Sequence, residues 1–242
     1  MAAHVPFKKT DLARSLASVP CAISGKYLMI IMQTTAGGNL TYLRDKILYH
    51  KDELLREEAA PDIYKIFDRI AARVPAGSNG VIYTPWIFGE RSPVEDSTVR
   101  ASIFNLSLEN TREDIIRAFM EGVALNTRWL LKPTEGFLGR KLTALNFVGG
   151  GAKSEVWSQI FADVLNIPIR QVKDPIQVNA RGAAFIAAVG LKALTFAEIG
   201  AKIEIAATFK PTPGTQEVYN KVFREFEKYY EATKGIYSRL NG

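Results

Sequence analysis

Cysteine and histidine are scarce in this chain of 242 residues: one cysteine, Cys21, and two histidines, His4 and His50. A lone cysteine excludes an internal disulfide, and this supply excludes a Cys/His zinc cluster. Long apolar runs are missing too. The longest, such as Tyr27 to Met32, are far too short to span a bilayer, and no basic-then-apolar signal segment opens the chain. No long basic run accompanies the net charge of +6, because Lys and Arg are scattered among Asp and Glu. That argues against a nucleic-acid-binding surface and for a mixed, solvated one; a cleft receiving an anionic ligand tolerates the same bias. What remains is an ordinary globular balance, 47% hydrophobic and 23% charged, enough for a buried core. The default reading is a cytoplasmic protein with no membrane contact.

Residues 1 to 25 carry little periodicity. Lys26 to Gln33 reads as a buried strand, and Thr34 to Tyr49 as a helix with Thr35 as its cap. A second helix is expected over Pro61 to Arg73, with proline in its first turn. Val81 to Ile87 and Ser102 to Leu106 read as short strands around a loop holding Gly89 and Pro93. The strongest helix signal follows Thr111: acidic residues fill its first turn, and Ile115, Phe119, Val123, Asn126 and Leu130 share a face. Then come a strand (Leu142 to Val148), three glycines, a helix (Ser154 to Leu165), a strand (Ile167 to Val172) and an alanine-rich helix (Asn179 to Leu191). A short helix near Thr195 to Lys202 and a long one over Thr215 to Leu240 complete the pattern. Met29 and Met32 read as core, and His4 and His50 as surface residues.

Three segments invite a chemical reading. In Leu145 to Trp157, LNFVGGGAKSEVW, the glycines allow a tight strand-to-helix turn and the close approach of a flat ligand. It is neither a Walker A loop nor GxGxxG: Ala152 precedes Lys153-Ser154 where glycine is needed, and Phe147 stands at the first glycine position. In a strand–turn–helix–strand unit, ligands sit beyond the carboxyl ends of the strands, which is where Gly149 to Ala152 fall. A turn with no ligand explains the glycines equally well. In Thr34 to Asp45, TTAGGNLTYLRD, Gly37 and Gly38 weaken a helix start by roughly 1 kcal/mol each relative to alanine. A close ligand or a packed helix would explain them. In Tyr83 to Pro93, YTPWIFGERSP, the neighbours Glu90 and Arg91 read best as an ion pair at a turn.

Together these segments resemble the FGGY carbohydrate kinases, and xylulokinases among them. HVPFKKTD from His4 resembles the stretch that follows the family's Gly-Thr-Ser phosphate loop. AGGNLTYLRD resembles its Ala-Gly-x-x-Leu-x-Trp-Leu-Arg-Asp helix, with Tyr42 for Trp, and WIFGERSP its Gly-Glu-Arg-Thr-Pro loop. Ala101 to Glu121 resembles the second family signature, except that Asn105 stands where glycine is usual and Phe119 where a smaller residue is usual. GGGAKSEVWSQIFADVLNIPI resembles the adenosine motif, and NARGAAFIAA the Gly-Ala-Ala helix.

The resemblance implies an α/β, ribonuclease H-like domain of the actin/hexokinase ATPase type, with a mixed sheet flanked by helices. Residues 1–242 would form one C-terminal, nucleotide-binding domain, truncated at its N-terminus and lacking its first strand and phosphate loop. With sheet order 3-2-1-4-5, the absent strand would leave a gap beside Leu142 to Val148, open or filled by residues 1 to 10 or a foreign strand. The implied reaction is transfer of the ATP γ-phosphate to a sugar hydroxyl, with D-xylulose as substrate and Mg2+ alongside ATP in the complete enzyme. Gly37 and Thr41 would contact the nucleotide phosphates and ribose. Gly150, Gly151 and Ala152 would form the turn under the adenine, where a Val side chain at position 151 would meet the base, and Glu155 would face the adenine edge. The general base, an Asp, and most sugar contacts belong to the N-terminal kinase domain, so the implied partners are ATP or ADP, a sugar and that domain, with a homodimer compatible. This chain alone would then be catalytically silent. A stand-alone, non-catalytic nucleotide-binding or interaction domain, or a scaffold that binds nothing, remains open at this point.

Overall fold

The computed structural model describes residues 1–48 and 62–242. Nine strands and seven α-helices are described: β1 Ala2–Val5, β2 Thr10–Asp11, β3 Leu16–Pro20, β4 Tyr27–Ile30, α1 Gly37–Tyr42, α2 Ile63–Ala71, β5 Ile82–Thr84, β6 Ser102–Phe104, α3 Arg112–Leu138, β7 Leu145–Phe147, α4 Glu155–Leu165, β8 Ile169–Val172, α5 Val178–Gly190, α6 Phe196–Ile199, β9 Ile205–Phe209 and α7 Thr215–Asn241. Among the described residues, no helix is long and apolar enough to cross a membrane.

The organising element is α3. Its start is fixed by a capping box, in which the Thr111 N–H donates to Asp114 Oδ2 at 2.7 Å, and its end by Gly139 in the left-handed region. Between them Ile116 to Leu125 pack into the main core with α1, α2, β5, α4 and α7. Further along, Leu130 and Phe137 join a second apolar cluster with Val5, Leu16, Met29 and Ile31. One helix therefore spans both apolar clusters.

The first sheet has the order β1-β4-β3-β2, every pair antiparallel. The second joins β7 and β8 in parallel, with β9 antiparallel at the far side. β5 and β6 form a separate antiparallel pair. The strand expected over Lys26 to Gln33 is present, and β1 lies beside it. β3, from the stretch with little periodicity, pairs along the other side of β4. β7 has one partner, β8, so the edge beside Leu145–Phe147 is open among the described residues. Among the described residues β1 likewise has only β4. Residues 2–5 thus pair with β4 and leave the β7 edge unfilled.

Several local expectations change. Thr35 does not cap α1. The residue before the helix is Ala36, with no side-chain cap, and the Asn39 amide instead donates to the carbonyls of Thr35 and Ala36 at 3.0 and 3.1 Å. Beyond Tyr42 the chain widens into a π-helical turn, Leu43–Leu48. α2 begins after Asp62, whose carboxylate accepts the Lys65 N–H, while Pro61, Tyr49 and His50 lie outside the described residues. Met29 is core, but Met32 is 47% exposed.

The two departures from the second signature have physical explanations. Asn105 sits at φ 62°, a left-handed conformation that asparagine tolerates better than most residues, and its amide donates to the Gly80 carbonyl at 2.9 Å. Phe119 stacks on Tyr83 with ring centroids 3.6 Å apart and planes 12° from parallel. Gly122, one turn on, lets α3 approach β5 so closely that a Cβ there would collide with the Tyr83 carbonyl.

Candidate functional site

Strand β7 ends at Phe147, and the chain must turn at once to start α4. Gly149 makes the turn at φ 89°, a conformation that L side chains rarely adopt, and its N–H donates to the Pro175 carbonyl at 2.8 Å. A 3₁₀ turn, Gly150–Lys153, follows, and Ser154 caps α4 by accepting the Trp157 N–H at 2.9 Å. The same hydroxyl donates to Asp68 Oδ1 on α2 at 2.6 Å. Trp157 is buried and donates its indole N–H to the Met120 carbonyl of α3 at 2.9 Å. The glycine turn is thereby tied to both α2 and α3.

Opposite this turn lies the start of α1. A cavity of about 560 Å³ separates the two, lined by Gly37, Leu40 and Thr41 of α1; Asp62, Tyr64, Lys65, Phe67 and Asp68 at α2; Met120 of α3; and Gly150, Gly151, Lys153, Ser154 and Trp157. That volume is in the range of small-molecule sites. Leu40, Phe67, Met120 and Trp157 give an apolar floor suited to a flat ring. The Arg44 guanidinium donates to the Tyr64 hydroxyl at 2.9 Å, and that hydroxyl lies 3.1 Å from Thr41 Oγ1. Burial pushes the Asp68 carboxyl above its ordinary value, although the Ser154 hydrogen bond opposes the shift. A perturbed carboxyl in a cavity wall is a candidate for ligand contact. Among the described residues, no group of three His, Cys, Asp or Glu side chains is placed to hold a metal ion.

Of the six expected site residues, Gly37, Thr41, Gly150 and Gly151 line this cavity. Ala152 is fully buried beneath the turn, where its carbonyl accepts the Gln171 amide at 2.5 Å. Glu155 is exposed and is not part of the lining. The expected effect of a side chain at position 151 also changes: a Cβ there meets the Trp157 ring at 2.7 Å, whereas one at position 150 enters open space. Asp68 and Tyr64 carried no sequence signal that singled them out, whereas Lys153 and Trp157 lie in the glycine-turn segment without a role assigned to either. The capping serine at position 154 is the nearest such signal, since a cap at the start of a helix marks the end that faces an anion.

Glu90 differs most from its expectation. Among the described residues it makes no ion pair, with Arg91 or any other cation. Its carboxylate is 4% exposed; Oε1 accepts the N–H groups of Thr34 and Arg91, each at 2.7 Å, and Oε2 accepts the Asn126 amide at 2.6 Å. Burial raises its pKa against the pull of these donors.

Comparison with known proteins places this geometry. Residues 8–191 match the C-terminal domain of the FGGY family of carbohydrate kinases. A xylulose kinase of Staphylococcus epidermidis is 31% identical over 173 residues, 71% of this chain and 34% of that protein. An autoinducer-2 kinase of Enterobacter is 28% identical over 239 residues, 96% of this chain and 44% of that protein. The crystal structure of gluconate kinase from Lactobacillus acidophilus superposes with a TM-score of 0.82 at 26% identity, covering 99% of this chain and 46% of that one. The chain thus spans less than half the length of these relatives, and the fold is the actin/hexokinase-type α/β fold that the resemblance implied. On the strength of these matches, the chain belongs to the FGGY family of carbohydrate kinases, as its C-terminal domain.

Proposed function

We propose that this chain is the nucleotide-holding part of an ATP-dependent sugar kinase, with D-xylulose as the substrate of the whole protein. The observation that carries the reading is the cavity between the Gly37 turn and the Gly149–Gly151 turn. It offers a flat apolar floor for a base, with hydroxyl and carboxylate groups on its wall. In this reading Gly37 and Thr41 face the ribose and phosphates. Gly150 and Gly151 lie under the adenine, with Asp68 as an added acceptor. Ala152 serves through its backbone, and Glu155 has no direct role. The preference for xylulose rests on the xylulose kinases matched at 31% and 33% identity, set against a gluconokinase at 30% and an autoinducer-2 kinase at 28%. Mg2+ would arrive with the nucleotide phosphates it bridges.

We further propose that residues 1–242 form a domain lacking its first strand and phosphate loop, completed by an N-terminal half. β1 and β7 each have an open edge among the described residues, and one further strand between them would pair with both. An open apolar edge invites such pairing. α5 supports the same reading: it is rich in alanine and carries Phe185, Ile186 and Val189, yet none of its residues is buried. The general base and most sugar contacts would then lie outside this chain. General-base assistance alone is worth on the order of 10²–10⁴ in rate.

Calorimetric titration of the purified chain with ADP, paired with a coupled assay for ADP release, tests the proposal. The expected result is weak ADP binding and no xylulose-stimulated ATP turnover. Xylulose-dependent ADP production by this chain alone would overturn the half-enzyme reading, and absence of ADP binding would overturn the nucleotide reading.

A further inference from the structure

The turn that brings Gly37 to the cavity is irregular, and its first residue has no sheet partner: β4 ends at Ile30 and α1 begins at Gly37. A backbone N–H in such a segment needs an acceptor once it leaves water. For Thr34 that acceptor is the buried Glu90 Oε1, at 2.7 Å. The other oxygen of Glu90 takes the Asn126 amide at 2.6 Å. Asn126 is itself held in one orientation, because its Oδ1 accepts the Trp86 indole N–H at 3.1 Å and its Nδ2 also donates to Gln33 Oε1 at 3.0 Å. At the far end of the turn Asn39, fully buried, grips the carbonyls of Thr35 and Ala36 and accepts the Tyr83 hydroxyl at 2.7 Å. Each end of the 34–39 segment is therefore bonded to groups that belong to the core.

We infer that Glu90 is a positioning residue for the nucleotide cavity: from inside the protein it holds the Thr34–Gly38 turn at a fixed distance from α3, so that Gly37 meets the ligand without rearrangement. This rests on the nucleotide reading above. Glu90 does not line the cavity and touches no ligand; its action passes through the Thr34 N–H to Gly37, and through Asn126 to the helix that supplies Met120. A carboxylate suits the task because it accepts only, and all three of its partners are donors. In E90Q, the amide oxygen can still accept from the backbone N–H groups, but the new NH₂ faces the Asn126 NH₂. Asn126 cannot turn over to relieve this, since its oxygen is taken by Trp86. The two NH₂ groups must part, so residue 90 moves away from α3 and carries with it the Thr34 N–H that it still holds.

The test measures ADP affinity calorimetrically for the full chain, for E90Q and for F137A. F137A empties part of the second apolar cluster, which does not line the cavity, and so controls for lost stability. All titrations are run at a temperature where circular dichroism shows each protein folded. E90Q is expected to raise the ADP dissociation constant by about tenfold or more, the scale of losing a charge-assisted hydrogen bond, while F137A leaves it unchanged. Backbone spectra should show the Gly37 and Gly38 amides displaced in E90Q and not in F137A. Equal ADP affinity in wild type and E90Q, with undisplaced glycine amides, would overturn this inference and leave the nucleotide reading standing. Failure of the wild type to bind ADP would overturn both. Should E90Q not fold, hydrogen exchange of wild type decides. The Thr34 amide is expected to exchange only on global unfolding, and exchange at the rate of an exposed loop overturns the inference.

Discussion

The Ser154 hydroxyl donates to Asp68 Oδ1 across 2.6 Å while its oxygen accepts the Trp157 N–H, so one side chain both caps α4 and locks it to α2. This bond closes the wall of the cavity between the two helices, and it holds a carboxyl in a half-buried position.

That position has a pH signature. Burial raises the Asp68 carboxyl above its ordinary 3.8, so the folded chain holds the proton more tightly than the unfolded chain does. The stabilisation is fully present below the unfolded value and is lost as pH climbs through the folded one. Asp68→Asn keeps an oxygen for Ser154 and does not titrate. Urea denaturation at a series of pH values should show the variant gaining stability relative to wild type as pH rises just above 3.8, then levelling off. A difference independent of pH would place the carboxyl in water.

Gly150 and Gly151 should respond differently to the same replacement. Gly150→Val extends into open cavity space and should weaken ADP binding with little change in melting temperature. Gly151→Val drives into the Trp157 ring and should cost stability, on the order of 1–3 kcal/mol, as overpacking does. Thermal melts and ADP titrations of both variants check this. A loss of affinity at 151 without a loss of stability would reverse the assignment.

Glu121 is the most heavily bonded buried carboxylate of the core described here. It is 1% exposed; Oε1 accepts the Gly77 N–H, Arg117 Nε and the Tyr219 hydroxyl at 3.0, 2.7 and 2.8 Å, and Oε2 accepts the Ser78 hydroxyl at 2.8 Å. Glu121→Ala leaves the buried Arg117 without its carboxylate and should cost about 3–5 kcal/mol by urea denaturation. Removing both charges, as Arg117→Met with Glu121→Leu, should cost less than the single change. A single-variant loss below about 1 kcal/mol would show that water reaches the pair.

Much of this architecture was legible in the residues, and the failures have physical causes. The long helix after Thr111 declared itself through its cap, first-turn acids and apolar face, because all three signals are local. The glycine turn was legible for the same reason: φ 89° at Gly149 is a demand that sequence shows directly. β9 escaped notice because Ile205–Phe209 is held by pairing to β8, distant in sequence, which periodicity does not report; β3, Leu16–Pro20, forms a hairpin with the neighbouring β4 but buries only Leu16 and Ser18, too little apolar alternation to read. Glu90 was misjudged because adjacency to Arg91 suggests an ion pair, whereas burial is set by Asn126 and Thr34, 36 and 56 residues away. Asp68 and Trp157 were invisible as site residues because only the packing of α2 and α4 on α3 brings them to one cavity.

The central claim is that nucleotide occupies the cavity between the Gly37 and Gly149–Gly151 turns. Proton–nitrogen correlation spectra of the 242-residue chain, titrated with ADP, test it most directly. The account predicts that the backbone amides of Gly37, Thr41, Gly150 and Gly151 and the indole N–H of Trp157 shift together and saturate at one dissociation constant. Shifts confined to residues outside this cavity, or none at all at millimolar ADP, would contradict it.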